Sequence, residues 1–141
     1  METSVAVATA ITFVWLGMVL GISFLETPLK FRAPGVTIPI GLGIGRLVFR
    51  ALNTVEAVLA VVLVVALIVG GSASTAAVAG GVAVLLLLAQ LALVRPRLTK
   101  RSDRVLAGQD APRSHAHLAF VGLESAKVVA LLVAGVALLA G

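Results

Sequence analysis

The sequence predicts an all-α fold: a four-helix bundle of transmembrane segments in a single membrane domain. Three observations carry this. Hydrophobic residues make up 60% of the chain and mean hydropathy is +1.17, against about 45–50% apolar in a soluble domain. Four apolar runs, each close to the ~20 residues that cross a bilayer as a helix, nearly exhaust the 141 residues. Ten of the eleven Lys and Arg residues lie in two segments flanking those runs. The net charge of +5 therefore reads as an orientation signal and an anionic-lipid contact, not as a nucleic-acid surface. With no cysteine, disulfides, thiolate metal sites and thiol redox chemistry are excluded.

The first span covers about 5–25. Residues 1–10 carry no Lys or Arg and no cleavage signal, so a retained span is expected, not a signal peptide. Gly17 and Gly21 form a GxxxG pair that permits close approach of a neighbouring helix. Trp15 stands mid-span, where its indole N–H needs an acceptor inside the bundle. Glu26 closes the span.

Residues 27–45 are expected to be a loop. Lys30 and Arg32 open it, and Ala33-Pro34-Gly35 signals a turn. The stretch VTIPIGLGI is too apolar for a solvated loop and too short to span, so an interfacial or re-entrant segment is expected. Gly41, Gly43 and Gly45 before Arg46 do not fit a phosphate-loop spacing; tightly packed backbone is the better reading.

The second span runs over about 47–69. Arg46, Arg50, Asn53 and Glu56 share one helix side. Both arginines can snorkel, but Glu56 lies well inside the apolar run and is expected to face the bundle interior. The third span, about 75–94, is rich in small residues, such as Ala76 with Gly80 and Ala77 with Gly81, and reads as scaffold. Gln90 is its one strongly polar interior residue and should bond to a neighbour. Pro96 is expected to end that helix and open a basic loop, 95–113.

The fourth span, about 116–139, carries a stripe of His117, Phe120, Val121, Glu124, Lys127 and Leu131. A charge at that depth costs about 2.5–3.5 kcal/mol on insertion scales, so Glu124 and Lys127 need partners or a function. Their i, i+3 spacing lets them neutralise each other. His115 points away from His117, so the pair cannot chelate one metal. A di-iron bundle uses Glu-x-x-His, and here Lys127 stands where that histidine would be. No metal and no cofactor is expected.

Both basic loops, 27–45 and 95–113, fall on one face, which the positive-inside rule makes cytoplasmic; both termini are then outside. Glu26, Arg46, Arg50, Asn53, Glu56, Arg95, His117, Glu124 and Lys127 then occupy the cytoplasmic half and point to a polar cavity open to that side. Glu56 and Glu124 suit groups that charge and discharge. Small multidrug exporters also combine four spans with a membrane glutamate, but theirs lies within the first span, whereas Glu26 is at its end.

The runs FLETPLKFRAPG, LGIGRLVFRALNTVE, RPRL and HAHLAFVGLESAK resemble a group of small bacterial membrane proteins of unassigned function. The layout is also distantly similar to the domain-of-unknown-function family that includes transmembrane protein 205. That resemblance implies a membrane role in trafficking or export of small solutes and brings no site residues. The expected function is binding or moving a small solute or ion in the bacterial plasma membrane. The alternatives are a small membrane enzyme using Glu56, His117 and Glu124 on a lipophilic substrate, and a structural subunit. Expected partners are membrane lipids, the solute or ion, and a second copy of the chain; nucleic acid is not among them.

Overall fold

The computed structural model describes residues 2–71, 74–109 and 115–141. The centre of the 70–74 turn, and residues 110–114 of the second basic loop, lie outside the described residues. Among the described residues the chain forms four long helices and no strand: α1 (Thr3–Lys30), α2 (Ile38–Gly70), α3 (Thr75–Leu106) and α4 (His115–Ala140). Each is long and apolar enough to cross a membrane. Helix α1 packs against α2 and α4, and α3 packs most heavily against α4 and also against α2. The helices thus succeed one another around the bundle in chain order, up-down-up-down.

The helices run past the apolar spans that composition marks. Two prolines explain much of this. Pro28 and Pro96 were expected to sit in loops, yet the helix passes through both. A proline inside a helix lacks an N–H, and its ring collides with the carbonyl four residues back. Here the preceding turn widens instead. Leu20–Glu26 and Gln90–Val94 are π-helical, and the residue before each proline reaches back five positions: Thr27 N–H donates to the Ile22 carbonyl and Arg95 N–H to the Gln90 carbonyl. Pro96 therefore does not stop the third helix, which continues to Leu106.

The glycine-rich stretch after the first turn is not a separate re-entrant segment either. Thr37 accepts from Ile40 N–H, Pro39 fits the first turn, and α2 starts at Ile38. Gly35, at φ +82°, makes the preceding turn.

The core is a stack of small and branched residues: Ala8, Val19, Leu52, Leu63, Ala83, Leu87, Leu131 and Ala134 are almost fully buried. Outward faces carry Val, Leu and Ile, as in a bundle whose surroundings are apolar. Close approach does not use the Gly17–Gly21 pair, where an added Cβ would meet nothing within 4 Å. It uses Gly80, which receives Leu67 and Leu63, Gly135, over which the Phe13 ring lies, and Gly41, which receives Phe31.

The two hairpins share one plan. Pro28 precedes Glu56 by the same number of residues as Pro96 precedes Glu124. In that register Ala8 matches Ala76, Leu63 matches Leu131 and Ala66 matches Ala134, and all six are buried. With α1 opposite α3 and α2 opposite α4, the hairpins are parallel repeats about an axis along the bundle.

Candidate functional site

On that axis, polar side chains from all four helices meet. Glu56 of α2 is 1% exposed, Glu124 of α4 2% and Lys127 of α4 1%. The Lys127 ammonium lies 2.5 Å from Glu56 Oε2 and 2.6 Å from Glu124 Oε1. It also donates to Gln90 Oε1 of α3 at 2.8 Å. An ammonium has three N–H donors, and these three oxygens occupy them.

The carboxylates are held from other helices as well. Trp15 Nε1 of α1 donates to Glu56 Oε2 at 2.8 Å. Ser23 Oγ of α1 donates to Glu124 Oε2 at 2.6 Å, and Gln90 Nε2 donates to Glu124 Oε1 at 3.2 Å. The π-helical turns matter here: Ser23 sits within one and Gln90 begins the other. Each turn shifts helical register by a residue, which changes the direction in which side chains beyond it point.

Two carboxylates and one ammonium leave a deficit of one positive charge. Arg95 opens the basic segment of α3 on the loop side of the cluster, close enough for its charge to be felt by Glu124 and Glu56 without an ion pair to either among those the structure shows. Its guanidinium lies 5.0 Å from the ring centres of both Phe49 and Phe120, which meet edge to face at 5.7 Å. The half-buried Arg95, just beyond the buried set, offsets that charge.

Of the residues singled out from sequence, the structure brings together Glu56, Glu124 and Lys127. Lys127 bonds carboxylates on two helices, not Glu124 alone. Glu26 and Arg46 stand apart, in pairs of their own: Lys30 Nζ is 3.7 Å from Glu26 Oε1, and Arg46 is 2.6 Å from Asp103 of the α3 extension. Arg50 is exposed and Asn53 half-buried. His117 is half-buried, about 10 Å along α4 from Glu124. Val121, placed on the inward stripe from sequence, is 42% exposed. Among the described residues no three His, Asp or Glu side chains are arranged to hold a metal ion.

The site is closed, with no polar side of the triad open to solvent in this conformation. An apolar groove of about 400 Å³ lies between α1 and α2, lined by Thr3, Ser4, Val7, Val61, Val62, Val65, Ala66 and Val69, and includes none of the cluster.

Fold and site together define a protein with four membrane-length helices around a buried polar centre of two carboxylates and one ammonium. Compared with known proteins, the chain matches no family model, no curated protein and no solved structure.

Proposed function

We propose that the protein moves a small ion or ion-coupled solute across a membrane, with Glu56 and Glu124 as the groups that gain and lose charge. The observation that carries this reading is that equivalent carboxylates of two repeated hairpins share one ammonium near mid-helix. Coupling-ion sites of repeat-built transporters lie near the bilayer midplane at the repeat interface. Lys127 serves as the resident counter-charge. A proton or cation arriving at one carboxylate releases one arm of Lys127 and leaves the other intact. The closed arrangement is then the occluded state, and access to the cluster opens on the basic-loop side. Arg46 and Arg50 contact anions or lipid headgroups at that end.

The membrane in this reading is a bacterial plasma membrane, with both termini outside. The chain has no cysteine, so Thr3→Cys and Gln109→Cys each give a single label. In inside-out vesicles the membrane-impermeant thiol reagent is expected to reach residue 109 and not residue 3; the reverse pattern inverts the orientation.

The transport test is reconstitution into liposomes under imposed H⁺, Na⁺ or K⁺ gradients. Flux above empty liposomes is expected, reduced to the background in Glu56→Gln and Glu124→Gln and kept in Glu2→Gln. A folded protein that passes none of the three ions overturns the reading. A second reading, the cluster as a pin that fixes helix register, is favoured by the fully occupied donors of Lys127. It expects no flux at all. The alternative of an enzyme that uses Glu56, His117 and Glu124 together is less favoured, since His117 lies about two turns along α4 from Glu124.

A further inference from the structure

The two proline-linked π-helical turns bear on the buried cluster unequally. Ser23 lies inside the turn of α1, Leu20–Glu26, and Gln90 opens the turn of α3, Gln90–Val94. Both reach the same carboxylate, Ser23 Oγ donating to Glu124 Oε2 and Gln90 Nε2 to Glu124 Oε1. Glu56 is held from elsewhere: by Lys127, and by Trp15 in the regular α-helical part of α1 ahead of the turn. Beyond the turns the helices are lightly anchored. No residue of Leu20–Lys30 is buried, and Ser102 alone is buried in the α3 extension Arg95–Leu106. At the tips the Phe31 ring lies against Gly41, and Arg46 pairs with Asp103, both of them exposed. An exposed ion pair adds little, and segments with few buried contacts are the first to open. Pro28 and Pro96 have no N–H to tie them to the preceding turn, so a bend at either breaks no bond of the proline itself.

We infer that Glu124 is the latch of a paired hinge. Its charge holds both π turns against the bundle. When it is neutral, the segments beyond Pro28 and Pro96 swing outward and open the cluster on the basic-loop side. Hydrogen bonds to an ionised group are roughly twice as strong as those between neutral groups, so loss of this one charge weakens the Ser23 and Gln90 bonds together. Loss of the Glu56 charge weakens the bonds to Trp15 and Lys127 and reaches neither turn directly. Each loss leaves one carboxylate with Lys127, so the two carboxylates differ in what they tie, not in charge balance. The groups that face Glu124 are Ser23 of α1, Gln90 of α3 with the charge of Arg95 beyond it, Lys127 of α4 and, across that ammonium, Glu56 of α2. The inference rests on the transport reading only for what the opening serves, and it names the carboxylate that controls access.

The test is amide hydrogen–deuterium exchange, read by mass spectrometry on the full chain in mild detergent. Glu124→Gln is expected to speed exchange about fivefold in both 24–31 and 91–106, the effect of one hydrogen bond's net worth, and to leave 5–19 and 125–139 unchanged. Glu56→Gln should change neither segment. Ser23→Ala should loosen 24–31 alone, and Gln90→Leu 91–106 alone, since each keeps the Glu124 charge and cuts one tie. Equal acceleration in Glu56→Gln and Glu124→Gln overturns the inference, because the cluster then holds the bundle as a unit. No change in Glu124→Gln overturns it as well. If Glu124→Gln loosens every helix, the two milder variants decide: each loosening its own segment supports the latch, and any other pattern overturns it. Exchange and flux are separate readouts. Flux lost in Glu124→Gln with exchange unchanged overturns the latch and leaves transport standing; the expected exchange pattern with no flux under any gradient does the reverse.

Discussion

Lys127 has three donors and three oxygens to receive them, on three different helices, and that arrangement sets its response to substitution. Lys127→Met removes the shared cation and leaves two carboxylates facing each other in a dry core. Breaking a buried pair from one side costs about 3–5 kcal/mol, and unfolding in detergent is expected to show a loss of that size. Glu124→Gln is milder, because an amide oxygen still accepts from Lys127. Trp15→Phe deletes one donor to Glu56 while Lys127 remains, and interhelical hydrogen bonds in membranes average about 0.6 kcal/mol with a maximum near 1.7. The chain has a single tryptophan, so Glu56→Gln should also shift its emission; an unchanged spectrum would separate Trp15 from Glu56. Residues of this kind are readable from sequence. A buried indole, carboxamide or carboxylate has to find a partner, which marks Trp15, Gln90, Glu56, Glu124 and Lys127. Ser23 is not readable. A lone hydroxyl in an apolar helix usually bonds its own backbone, as Thr9, Thr12, Thr54 and Ser125 do here. Only the tertiary fold shows that Ser23 turns to Glu124 instead.

The four helices themselves follow from hydropathy, but their ends do not. Pro28 and Pro96 read as stops because a helix cannot bond through a proline, and the sequence carries no separate sign that the turn before it will widen. Gly17 and Gly21 read as a packing motif, but packing falls to Gly135 and Gly80, because facing residues on other helices decide which glycine is approached. Both points lead to expected outcomes. Gly17→Ala should be neutral or stabilise by about 0.5–1 kcal/mol, since the position is open and glycine is the poorer helix former. Gly135→Ala should destabilise, since the new Cβ would lie 2.6 Å from the Phe13 ring. Thermal unfolding of the two variants checks the contrast, and equal shifts would contradict the packing. A π-helical turn is one residue longer than the α-helix it replaces. Deletion of Leu93, within such a turn and facing outward, should therefore cost less stability than deletion of Leu85, also outward but in regular α-helix.

At the scale of the molecule, the two hairpins are alike in plan and unlike at one position on the axis. Leu59 follows Glu56 as Lys127 follows Glu124, and both are buried. A two-fold arrangement with lysine at both places would put two ammonium groups beside two carboxylates, with Arg95 as a surplus charge. One with leucine at both would leave the carboxylates with Arg95 alone. The single lysine together with the half-buried Arg95 gives neutrality, and repetition of the plan means that either hairpin offers a position from which an ammonium could reach the centre. The double substitution Leu59→Lys with Lys127→Leu transfers the charge from α4 to α2 without altering composition. Lys127→Leu alone is expected to lose stability as Lys127→Met does. The transferred pair should recover at least half of that loss in detergent unfolding and restore the Trp15 emission, because the ammonium returns to both carboxylates from the opposite side. If the double variant is no more stable than Lys127→Leu, the shared plan ends at the burial pattern, and Lys127 is tied to α4 by local packing against Gln90 rather than by the symmetry of the bundle.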